Sequence, residues 1–298
     1  MVRTPVATVR TLMRGLVDYA GLFPPAAREM SGAVARYDAH RRSDDAWMLG
    51  RFVVPEAALS ELAAEVQRLP VGPVTPWRVS AIVGAESGDV ATRIGTFNAA
   101  HRERLVVDVA ELRPMPAARI ADALRGMPSN VTSYVEVPIR DDPSSTLAVI
   151  GTLGARAKVR TGGVTRDAFP RVEDLVRFIR GCAEMNIPFK ATAGLHHPFA
   201  GDHPLTYASD APRGTMFGFV NVFAAAAFAR VGMSDAMLRD VAREPDALAL
   251  EFHEHTMRWR AHVLELEQLA EARESFAISF GSCSFSEPVD ELRALGLL

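Results

Sequence analysis

Of the 33 basic residues in this 298-residue chain, only two are lysine, Lys158 and Lys190. Each lies in a short run of small and apolar residues ending in glycine, AKVRTGG over 157–163 and FKATAG over 189–194. Arginine replaces lysine as a charge but not as a nucleophile, because the guanidinium stays protonated. A chain built almost entirely with arginine has therefore kept an amine at two places where an amine could act. A lysine of ordinary pKa is neutral in roughly one molecule in 2,500 at pH 7, whereas a value about three units lower leaves about a quarter neutral. Burial and a neighbouring cation produce such a change. Arg160 lies two residues from Lys158, on the same face of a strand, and Lys190 offers a second cation from the next strand. The structural alternative is that both lysines are buried ion-pair partners of acids.

These residues need strands to hold them, and the chain supplies a regular series. Strand patterns are expected at 15–25, 50–55, 77–84, 104–112, 131–138, 157–163, 188–197 and 277–285. Helical patterns lie between them at 30–46, 56–68, 87–101, after Pro114 or Pro116, at 142–153 and at 170–185, with a last helix from Pro288. The 170–185 stretch places Val172, Leu175, Val176 and Ile179 on one face. Strands alternating with helices imply a parallel sheet, and eight of them a closed (β/α)8 TIM barrel of α/β class, one domain over 1–298.

The irregular part is 198–276, read as a helical insertion between strands 7 and 8. Within it 217–230 reads as a buried helix, since alanine favours helix. Residues 246–274 read as a long helix with Phe252, Trp259, Val263, Leu266 and Ala270 in heptad-like spacing. Such a helix would serve as a lid or as a homo-oligomer interface.

A formal net charge of −3 offers no footprint for nucleic acid. The opening MVRTPVATVRTLMRG lacks the apolar core of a signal peptide, and no run approaches the about 20 apolar residues of a membrane span, so a cytoplasmic protein is expected. Two cysteines, Cys182 and Cys283, suggest neither a disulfide framework nor a metal cluster. The stretch Gly84-Ala-Glu-Ser-Gly lacks the lysine and spacing of a phosphate-binding P-loop.

Barrel enzymes act at the C-terminal ends of their strands, which directs attention to charged residues inside strands. Asp18, Asp108, Glu136, Lys158, Arg160 and Lys190 all qualify. Asp108 and Glu136 read either as ion-pair partners of the cations or as proton-transfer groups.

Four segments in order resemble deoxyribose-phosphate aldolase, a class I aldolase family on a β/α barrel. Val17-Asp18-Tyr19-Ala20-Gly21-Leu22-Phe23-Pro24 resembles the family's I-D-H-T-L-L-x-P, and Ala157 to Gly162 resembles its Schiff-base strand I-K-T-S-T-G. Phe189 to Gly194 is similar to V-K-A-A-G-G, and Phe280 to Ser284 to I-G-T-S-S. The resemblance implies Lys158 as the Schiff-base nucleophile, Lys190 as the cation that activates it and Asp108 as a proton mover. It also implies an anion pocket at Gly162, Gly194, Gly281 and Ser282. Asp18, Arg160, Thr161, Gly163, Thr192 and His196 complete the substrate-binding candidates. Arg160 replaces a small residue of the family's strand and suits a carboxylate or phosphate.

The activity so implied is a lyase acting on a small carbonyl substrate, without metal or other cofactor. One rival is a metal-dependent lyase or isomerase using Asp108, Glu136 and one of His196 or His197, adjacent residues that face opposite ways in a strand. Another is a non-catalytic barrel that binds partners through its insertion. His253-Glu254-His255 lacks the spacing of a helical zinc motif and reads as a solvated helix face.

Overall fold

The computed structural model describes residues 4–70, 75–84 and 89–298. Helix α1 (Ala7–Met13) precedes β1 (Val17–Tyr19), which leads to α2 (Met30–Arg41) and β2 (Leu49–Pro55). Then follow α3 (Leu59–Arg68), β3 (Trp77–Val83), α4 (Val90–His101), β4 (Leu105–Leu112), α5 (Ala117–Arg125), β5 (Thr132–Val137), α6 (Ser144–Thr152), β6 (Arg156–Arg160), α7 (Val172–Glu184) and β7 (Phe189–Thr192). The insertion contains the hairpin β8 (Gly201–Pro204) and β9 (Arg213–Met216), helices α8 (Phe219–Arg230) and α9 (Asp235–Arg243), and strands β10 (Leu250–Phe252), β11 (Thr256–Trp259) and β12 (His262–Glu265). Helix α10 (Leu266–Ser275), β13 (Ala277–Ser282) and α11 (Ser286–Ala294) close the chain.

Strands β1 to β7 and β13 form a closed, all-parallel barrel in the order β1-β13-β7-β6-β5-β4-β3-β2, a TIM barrel as expected. All eight strands lie where the sequence places them, within a few residues. The expected start of the 87–101 helix, and most of the Gly84–Gly88 stretch, fall outside the described residues. The face of α7 expected to pack, Val172, Leu175, Val176 and Ile179, is buried.

Helix α8 is buried from Phe219 to Ala229. A helix apolar all round needs cover on every side. On one side Phe219 stacks on Phe280 of the barrel, with ring centroids 5.1 Å apart, while α7, α9 and α10 surround the rest. Helix α8 is thus enclosed by the barrel and α7 on one side and by α9 and α10 of the insertion on the other.

The long helix expected over 246–274 does not form, and the insertion is not wholly helical. Residues 250–265 make a three-stranded antiparallel sheet, and apart from a single 3-10 turn at Ala247–Ala249 only 266–275 are helical. The sequence carries a period of two. Leu250, Met257, Trp259 and Leu264 are buried, whereas Glu251, Arg258, Val263 and Glu265 are exposed. Val263, a member of the heptad set, is among the exposed residues. Trp259 pairs with His262 across the two-residue turn Arg260-Ala261, and Arg260 has a φ of 52°. That turn suits a tight hairpin. His253, Glu254 and His255 are exposed as expected, but in the β10–β11 turn rather than on a helix.

Candidate active site

One extra residue in β4 arranges the barrel interior. Val79 of β3 pairs with Val107, but the next residue, Ser80, pairs with Val109, so β4 contains a bulge beside Asp108. In a regular strand Asp108 and Glu111, three apart, would face opposite sides. Across the bulge both turn into the barrel, at different heights. Asp108 sits near the N-terminal ends of the strands and takes bonds from Arg51 Nε at 2.7 Å and Arg78 Nε at 2.7 Å. Burial works against its charge, but the two guanidinium groups hold its carboxyl below the usual range.

Glu111 occupies the centre of the upper layer. Its Oε1 accepts from Lys190 Nζ at 2.6 Å and from Ser80 Oγ at 2.7 Å, and its Oε2 from Lys158 Nζ at 3.1 Å. Lys190 also donates to Asp18 Oδ2 at 2.6 Å, and Lys158 lies 2.9 Å from Glu136 Oε2. Asp18 is fixed in turn by Ser279 Oγ at 2.8 Å and the Arg51 backbone N–H at 2.7 Å. Arg160 Nε stands 3.6 Å from Glu136 Oε1. A chain of alternating charge therefore runs Asp18, Lys190, Glu111, Lys158, Glu136, Arg160. For Glu111 and Lys190 burial raises the cost of the charge, and the opposing charges outweigh it. The lysines drive the Glu111 carboxyl far below its ordinary range, and Asp18 with Glu111 pushes the Lys190 ammonium well up.

A cavity of about 450 Å³ opens above this layer, at the C-terminal ends of the strands. Of the expected site residues, Glu136, Lys158, Arg160, Gly163, Thr192, His196 and Gly281 line it. Asp18 and Lys190 lie one layer beneath, reaching the cavity only through Glu111. Thr161 is buried and donates to the Ala193 carbonyl at 2.6 Å, pinning the β6 loop to the β7 loop. Gly162 and Gly194 meet behind the wall: a Cβ on Gly194, whose φ is +75°, would sit 2.6 Å from the Gly162 Cα. Ser282 is buried, and its carbonyl accepts from Ala20 N at 2.6 Å. The expected backbone anion pocket is therefore represented in the cavity lining by Gly281 alone of its four residues.

Asp108 does not line the cavity, contrary to the proton-moving place expected for it, whereas Glu111 and Glu136 do. Nor do Asp108, Glu136 and a histidine converge as a metal site would require. His197 Nδ1 bonds Glu291 at 2.6 Å and its ring stacks on His203 at 3.5 Å between centroids. Sequence reading missed Glu111, Arg113 and Cys283, which all line the cavity. Glu111 was visible in one respect, as an acid closer than Asp108 to the C-terminal end of the same strand.

No family model, curated protein or solved structure matched this chain in the comparisons made with each. The fold and the site together define a β/α barrel with a buried lysine–carboxylate chain under a cavity at the C-terminal ends of its strands. Among the described residues, no helix is long and apolar enough to cross a membrane.

Proposed function

We propose that this chain is a barrel lyase of the class I aldolase type, forming an imine on Lys158 with a small carbonyl compound that carries a carboxylate or phosphate. The observation that carries the reading is the division between the two amines: Lys158 lines the cavity, whereas Lys190 is buried beneath it between Asp18 and Glu111. Lys190 acts as the counter-cation that keeps Glu111 ionised and aimed at Lys158. It is not the nucleophile.

Charge balance supports an iminium at this place. Three carboxylates, Asp18, Glu111 and Glu136, face three cations, Lys190, Lys158 and Arg160. For attack, the Lys158 ammonium passes a proton to Glu136, which reaches the cavity. The free amine adds to the carbonyl carbon, a proton passes from its nitrogen to the new oxyanion, and Glu136 returns its own proton as that hydroxyl leaves as water. The resulting iminium carries one positive charge where the ammonium stood, so the balance is restored. Glu136 is then placed to exchange protons with the carbon–carbon bond-making or bond-breaking step. Arg160 and Arg113 supply the anion contacts from the cavity rim.

Borohydride reduction in the presence of a panel of aldehydes and ketones, followed by peptide mass mapping, tests the reading. An adduct is expected on Lys158, absent from Lys158→Met. Failure to trap any adduct across the panel, or trapping confined to Lys190, would remove it.

A further inference from the structure

The far wall of the same cavity carries a second group of reactive side chains. Cys283, the first residue after β13, and His196, in the loop after β7, both line the cavity. Cys283 Sγ lies 4.0 Å from His196 Nδ1 and 3.6 Å from the Tyr207 hydroxyl, which reaches over from the β8–β9 loop. Glu287, in the first turn of α11, places Oε2 3.6 Å from His196 Nδ1. That oxygen is buried and has no hydrogen-bond partner at normal length among the described residues. A buried, unsatisfied carboxylate oxygen is costly, and its position is explained if it steadies a charge on the neighbouring imidazole. Burial alone would lower the His196 pKa, but the sulfur and the carboxylate hold it up to about 9. The other cysteine does not line this cavity. Cys182 lies in α7 with no surface exposed, and burial pushes its thiol well up.

We infer that Cys283 is a second nucleophile of this cavity, with His196 as its proton carrier and small aldehydes as its ligand class. Sγ bonds to the carbonyl carbon, and the C=O π pair moves to oxygen. The His196 imidazolium gives a proton to that oxygen, and the neutral imidazole so formed takes up the proton of the thiol, giving a thiohemiacetal and restoring the imidazolium. No oxidant or reductant enters, and the addition does not need the Lys158 amine. Tyr207, whose hydroxyl already touches the sulfur, covers the thiol on the solvent side and makes the β8–β9 hairpin part of the site.

The test uses the full-length Lys158→Met protein, so that imine formation does not compete. With acetaldehyde labelled with ¹³C at the carbonyl, a protein-bound tetrahedral carbon resonance is expected by NMR. It should vanish in the Lys158→Met/Cys283→Ser double variant, and also when the Lys158→Met protein is first alkylated at Cys283. In otherwise unmutated protein, iodoacetamide followed by peptide mapping should label Cys283 and spare Cys182. His196→Gln should slow that labelling about tenfold or more, because it removes the imidazolium that favours the reactive thiolate. Absence of the resonance in Lys158→Met protein overturns the inference, as does a labelling rate unchanged by His196→Gln. Neither result bears on borohydride trapping at Lys158, so the two readings fail separately.

Discussion

Glu111 is the residue on which the interior depends, since each of its oxygens neutralises a different buried lysine. Breaking a buried pair by removing one partner leaves an uncompensated charge and costs about 3–5 kcal/mol. Glu111→Gln, which keeps the shape but leaves Lys190 only Asp18 and Lys158 only Glu136, so that one buried positive charge goes unbalanced, is expected to lose stability on that scale in urea unfolding at neutral pH. The effect has a pH window. The depressed Glu111 carboxyl contributes fully above its ordinary value of 4.5 and loses its contribution as pH falls toward the folded value. The raised Lys190 contributes fully below its ordinary value of 10.5 and loses its contribution only as pH climbs through the higher folded value. The difference between wild type and Glu111→Gln should thus be flat between these limits and shrink below the lower one. Asp108→Asn makes the opposite case. It weakens the bonds to Arg51 and Arg78, at about 1–3 kcal/mol, yet should leave borohydride trapping at Lys158 unchanged, because Asp108 stands at the other end of the barrel. A large loss of trapping in that variant would return Asp108 to the chemistry.

At the level of elements, β2 determines where Asp18 can go. A Cβ on Gly50 would fall 2.3 Å from Asp18 Oδ1 and 3.2 Å from the carbonyls of Gly15 and Val17, so only glycine lets the carboxylate reach the Arg51 amide. Gly50→Ala should cost about 1–3 kcal/mol, as overpacking does. It should also displace Asp18 from Lys190, which chemical-shift changes at the Lys190 side chain would report. The same level explains what could be read from sequence. The barrel strands were legible because apolar runs bounded by turn residues recur between helical patterns, and the two lysines stood out by composition. The β4 bulge was not, because a one-residue change of register alters which side chains share a face without altering residue types. Glu111 was therefore overlooked in favour of Asp108. In 250–265 the two periods competed. Phe252, Trp259 and Val263 fit a heptad, but Leu250, Met257, Trp259 and Leu264 fit alternation, and the Arg260-Ala261 turn decides for the strands. The gathering of His196, Tyr207, Cys283 and Glu287 joins residues from separate loops and α11, and no local pattern announces it.

At the scale of the whole molecule, the chain's preference for arginine acquires a mechanical sense at the seam where the barrel closes. Arg273, near the end of α10, is buried, and burial pulls its pKa down to about 10. Among the described residues it has no carboxylate partner and is held instead by backbone carbonyls. Nε donates to Leu12 O at 2.8 Å, NH2 to Arg14 O at 3.2 Å, and NH1 to Ile278 O at 2.9 Å and to Ala277 O. Its guanidinium also lies 5.0 Å from the centre of the Phe223 ring on α8. One planar group thus ties α1, the approach to β1, the start of β13 and α8 together. A lysine ammonium offers three donors from a single point and cannot span carbonyls arranged around a fork. Arg273→Lys keeps the charge but leaves at least one buried carbonyl unpaired, at about 1–3 kcal/mol each. The expected result is a lower urea midpoint with an unchanged slope, since the surface exposed on unfolding stays the same. Amide exchange should rise first in β1 and β13, the strands whose pairing Arg273 secures. If exchange rose evenly over all eight strands, the residue would be a general contributor to the core rather than the clasp of the barrel.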